Sequence, residues 1–174
     1  MSDHALVGRS ALTAASLIAA IAAVAMTVRL AGATSTVRSS LAFEFSRPPA
    51  SLAEALAVAA GNVRLAGAIL LAALLVGLRP AIRPALDIVV GALAGLNATT
   101  AGAALAAYGT RLLKAVATHA PLELAAFAIA GGAYLSARRH PLDGGQLIAA
   151  AAASGLLLAV AAILETYIQI GGGP

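Results

Sequence analysis

Six side chains sit where an otherwise apolar sequence leaves little water: Asn62, Arg64, Asn97, His119, Glu123 and Glu165. Ionisable and amide groups at the centre of a membrane helix cost roughly 2.5 to 3.5 kcal/mol on insertion scales, so each of the six needs a partner, a cavity or a role. His119 and Glu123 are four residues apart, one helical turn, and are expected to bond each other, which would bring the imidazole's proton equilibrium into a range useful for proton-coupled work. Pro121 suits a first helical turn and places Glu123 against the positive end of the helix dipole. Glu165 lies near a helix C-terminus, where the dipole disfavours a negative charge, and calls for a cation such as Arg64 or Arg111. Asn97, with Thr99 and Thr100, falls near the middle of its run. A Thr hydroxyl can bond back to its own helix, whereas the Asn amide is expected to bond a second helix or to line a solute path.

Little else in the chain suggests catalysis. One His-x-x-x-Glu falls short of the three protein ligands of a catalytic zinc, and neither a Ser/His pairing nor a phosphate-binding Gly loop is present. No metal site, no cofactor and no enzymatic activity are therefore expected. Cysteine is absent, which excludes disulfides and thiolate chemistry.

The elements that must position these residues are membrane helices. Uncharged runs cover 10–28, 65–78, 88–110, 124–137 and 144–164, more than half of the 174 residues. Three of these runs reach the roughly 18 to 20 residues that span a bilayer at about 1.5 Å per residue. The two shorter ones are bounded by Arg, whose stem can run along a helix and carry its charge to the interface. The composition, 61% hydrophobic and 10% charged with a mean hydropathy of +0.95, leaves too little polar surface for a water-soluble domain, where about 25% of residues are charged. The expectation is one all-α, polytopic bundle of about five transmembrane helices, near 10–30, 51–79, 85–110, 121–137 and 146–170, forming a single integral membrane domain over 1–174. The net charge of +4 comes from basic residues at the ends of apolar runs, where they anchor topology and meet anionic headgroups; nucleic acid is not an expected partner. Ten of the eleven basic residues are Arg, and Ala is abundant, a composition that suggests a GC-rich bacterial source.

The first run is longer than the apolar core of a secretory signal, and Arg29 precedes the small-residue stretch Ala31-Gly32-Ala33, so a retained helix is expected. A polar connector follows over 34–49, with Phe43 and Phe45 spaced to dip one face into the headgroups. Pro48-Pro49 would stop any earlier helix, and Ser51 with Glu54 has the spacing of a capping box opening the next, about 28 residues and about 42 Å long. Arg79-Pro80 and Arg83-Pro84 make a tight basic turn, 111–118 a short amphipathic link, and 136–145 a second basic turn. Two of the shortest loops are the most densely basic and fall on the N-terminal side, which places the N-terminus in the cytoplasm.

The segment 118–133 carries His119, Glu123 and a run of small residues ending in Gly131-Gly132, and in this it resembles the stage II sporulation protein M family of bacterial membrane proteins. Gly61-Asn62-Val63-Arg64 resembles the Asn-rich start of that family's central helices, and Ala162-Ile163-Leu164-Glu165 resembles its last helix with a late Glu. The likeness runs over about 62–170; it departs in Ala120, where the family usually has Gly, and in the short length. The resemblance implies an all-helical, self-associating membrane protein. In spore formers the family works with wall-hydrolysing partners during engulfment, and elsewhere its members occur without sporulation. Together these features suggest a non-enzymatic subunit or scaffold of a cell-envelope complex in the cell membrane, partnered by lipid and by further copies or other envelope proteins. The alternative is a small proton- or ion-coupled transporter or channel with a buried polar path.

Overall fold

A computed structural model describes residues 3–42 and 51–168, with side chains from Leu6 onward. Phe43, Phe45, Pro48-Pro49 and the last residues, 169–174, lie outside the described residues. Among those described there are seven α-helices, one 3-10 turn and no strand: α1 Asp3–Leu30, α2 Thr34–Leu41, α3 Leu52–Leu78, the turn Pro80–Ile82, α4 Arg83–Tyr108, α5 Thr110–Val116, α6 Ala120–Ala137 and α7 Gly144–Tyr167. Five of them (α1, α3, α4, α6 and α7) are long and apolar enough to cross a membrane. With that number of crossings, the two ends of the chain emerge on opposite faces of the bundle.

The inside and outside of the bundle are sorted by size rather than by polarity. Ala126, Ala130, Ala133 and Ala161 are fully buried, while Leu71, Ile88, Leu96, Ile148, Leu156 and Ile163 are exposed. Water would penalise so many exposed aliphatic side chains, whereas lipid does not, and small residues let helices approach closely enough for dispersion to hold them. This is an integral membrane protein by its surface as well as by its composition.

α6 is the hub, packing against α1, α3 and α7. Its contact with α1 depends on glycine: a Cβ added at Gly132 would run into Ser10, and one at Gly131 into Thr13. Farther along α1, Gly102 of α4 seats the backbone of Ile21 and the side chain of Val24 in the same way. α1 is thus built into the bundle along its length. The α6 and α7 hairpin is pinned by the buried Ser154, whose hydroxyl donates to the Ala126 carbonyl at 3.1 Å. By contrast, α4 leans on α1 and meets α3 only lightly, so the two helices joined by the Pro80 turn diverge as they cross the bundle.

Local signals set most boundaries. Ser51 Oγ accepts from the Glu54 amide at 3.1 Å, the expected cap of α3. α4 starts at Arg83 rather than Ala85, because a proline in the first turn gives up an amide that had no helical partner. α7 begins at Gly144, not Gln146, because Asp143 and Gln146 form a reciprocal capping box, with Gln146 N to Asp143 Oδ1 at 2.8 Å. The polar connector after α1 opens as the short helix α2. Arg38 on α2 donates to the Ala107 carbonyl through Nε (3.2 Å) and Nη2 (2.5 Å), and Arg29 donates to the Leu105 carbonyl at 3.4 Å. The two guanidiniums therefore bond carbonyls of the last turn of α4, at the negative end of its dipole.

Candidate functional site

Polar side chains within the bundle gather at its two ends. At the end opposite the N-terminus, α3 and α6 bring Asn62 against Glu123: the Asn62 amide donates to Glu123 Oε1 at 2.6 Å. Glu165, half-buried on the last turn of α7, lies within electrostatic reach of Glu123. His119 is buried directly before α6, and its carbonyl accepts from the Glu123 amide at 3.1 Å, the first helical bond of that turn. Asn62, His119, Glu123 and Glu165 thus share one end of the bundle.

Arg64 and Asn97 do not join them. Arg64 is two residues beyond Asn62, about 200° around the helix, so with Asn62 turned toward α6 the guanidinium points outward and is exposed. This corrects the expectation that Arg64 belongs to the buried cluster. Asn97, expected to bond a second helix or to line a solute path, donates its amide to the Leu93 carbonyl one turn back, at 2.8 Å, on an exposed face of α4. Bonding to its own helix lets an amide sit in apolar surroundings without a partner helix, as Thr100 also does with Leu96 at 3.0 Å.

A network at the N-terminal end was not anticipated. Asp87 on α4 pairs with Arg138 on α6 at 3.0 Å and accepts from the Tyr134 hydroxyl at 2.5 Å. Arg83 adds a third link, donating to the Arg138 carbonyl at 2.6 Å. Tyr134 and Arg138 are one turn apart on α6 and Arg83 and Asp87 one turn apart on α4, so each pair shares a face and the two faces meet. The signal in the sequence was Asp87 itself, an acid directly before an uncharged run and one turn after an arginine.

Between the two ends runs a groove of about 720 Å³, walled by α1, α3, α4 and α6. Asn62 and Glu123 line one end of it, Asp87, Tyr134 and Arg138 the other, and Asn97 lies along the side. From Glu123 to Arg138 it follows α6 for fifteen residues, about 22 Å of helix. Its wall is mostly apolar, built from side chains such as Ile69, Val90 and Phe127 and from the small residues of α4. The divergence of α3 from α4 opens it. Among the described residues, no group of three or more His, Asp or Glu is placed to hold a metal ion.

Compared with protein-family models, with curated proteins and with solved structures, the chain matches none.

Proposed function

We propose that this chain is a non-enzymatic subunit or scaffold of a cell-envelope membrane complex, of the kind that the resemblance to the stage II sporulation protein M family implies. The observation that carries the reading is what its polar groups bond. Asn62 joins α3 to α6, and Asp87, Tyr134, Arg138 and Arg83 join α4 to α6. Groups that pair across helix interfaces fix the relative positions of those helices, and what lies between the two sets is predominantly apolar, a poor path for a proton or an ion. Held at both ends, the bundle presents a fixed outer surface to a second copy or to another envelope protein.

A proton- or ion-coupled transporter is the second reading, favoured by one observation: Asn62, Asn97 and Glu123 all line the same groove. Proton and ion flux into liposomes carrying the purified protein separates the two. The scaffold reading expects the flux of empty liposomes, with Glu123→Gln and Glu165→Gln indistinguishable from the parent chain. A flux that either substitution abolishes would replace it with the transporter reading.

A further inference from the structure

A second cavity, of about 340 Å³, opens at the N-terminal end of the bundle, lined by Arg9, Leu12, Arg83, Leu135, Arg138 and Arg139. Among the described residues, four of its six lining side chains are guanidiniums and none is a carboxylate. They come from three helix ends that the fold brings together: α1 supplies Arg9, α4 supplies Arg83, and the C-terminus of α6 supplies Arg138 and Arg139. Arg83 and Arg138 each keep a buried Nε with no hydrogen-bond partner. Leu135 and Arg138 line the 720 Å³ groove as well, so the basic cavity and the apolar groove meet at those two side chains.

A charged mouth continuous with an apolar trough has the chemistry of an amphiphile with an anionic head. Basic pockets between transmembrane helices at a membrane face recognise phosphorylated headgroups, and an Arg fork matches phosphate oxygens in pairs. Size decides what enters the trough. At about 720 Å³ the groove falls within the roughly 300 to 1,000 Å³ of small-molecule sites. The trough's length of about 22 Å beside α6 suits an extended hydrocarbon chain. Gly91 and Gly95 face open space there, so α4 presents backbone and small side chains to the occupant.

We infer that the protein holds one anionic phospholipid, its phosphate among Arg9, Arg83, Arg138 and Arg139 and an acyl chain in the groove between α3, α4 and α6. The inference is independent of whether the protein is a scaffold or a transporter.

The test is native mass spectrometry of the protein in neutral detergent, titrated with dioleoyl phosphatidylglycerol, with dioleoyl phosphatidylcholine and with inorganic phosphate, alongside thermal unfolding. Phosphatidylglycerol is expected to bind about tenfold more tightly than phosphatidylcholine, whose phosphate is the same but whose choline ammonium is repelled by the four guanidiniums, and to raise the Tm. Phosphate at the same concentration leaves the Tm unchanged. Arg139→Gln, an exposed position whose loss spares the Asp87 network, removes most of the preference. Gly95→Leu, at a position where an added Cβ meets nothing within 4 Å, puts a side chain into the groove and weakens dioleoyl phosphatidylglycerol at least threefold relative to its dihexanoyl form. Equal binding of the two dioleoyl lipids, a shift reproduced by phosphate alone, or unchanged binding in either variant overturns the inference.

Discussion

The two ends of α6 are fastened by different physics. At its C-terminal end, glycines admit α1 to backbone contact, and a carboxylate, a phenol and two guanidiniums tie it to α4. At its N-terminal end, one amide on one carboxylate joins it to α3, with a second carboxylate nearby. The first end combines close packing with a pair of opposite charges; the second sets a neutral amide donor on an acid. The C-terminal end of α6 should therefore carry more of the bundle's stability, and the N-terminal end should tolerate change.

Substitutions can break this contrast or sharpen it, with thermal unfolding in detergent as the common measure. The largest effect is expected from Gly132→Leu, which drives a side chain into the α1 backbone at Ser10 and costs about 3 kcal/mol or prevents assembly of α1. Asp87→Ala comes next: it leaves Arg138 and Tyr134 without their shared acceptor, at about 2 kcal/mol, reduced from the cost of a fully buried pair because both charged side chains remain about a third exposed. At the other end, Asn62→Ala removes one interhelical hydrogen bond and should cost about 1 kcal/mol, since such bonds within membranes average less than their strength in hydrocarbon suggests. Arg64→Ala, on the same helix but facing outward, should stay within about 0.5 kcal/mol. If Asn62→Ala proved more damaging than Asp87→Ala, the contrast between the ends would be reversed.

Helix identity and location were legible in the sequence because apolar length is a one-dimensional property. All five crossings stand within a few residues of their expected positions, apart from the start of α1, which extends back to Asp3 because the charges at Asp3, His4 and Arg9 do not stop a helix outside the hydrocarbon. The Asn62 and Glu123 pair was legible only as two separate polar residues, since nothing along one chain states the rotation of α3 against α6. The same lack of rotational information grouped Arg64 with Asn62. Asp87 and Tyr134 went unread for a related reason. An acid one turn beyond a Pro and Arg turn looks like part of that turn, and a tyrosine in an apolar helix looks like packing, until α4 and α6 are set face to face. The role of Gly131-Gly132 is of the same kind: the pair was visible as a motif, while the helix it admits was not.

Sidedness tests the account most directly, and the absence of cysteine makes it clean, because every thiol in a variant is an introduced one. Single variants Arg79→Cys, Arg139→Cys, Arg38→Cys and Lys114→Cys are labelled with a membrane-impermeant maleimide in sealed vesicles of known orientation. Five crossings predict that positions 79 and 139 react from one side only and positions 38 and 114 from the other only. Labelling of all four from the same side would contradict the five-helix bundle, and with it the groove and both polar ends described for it.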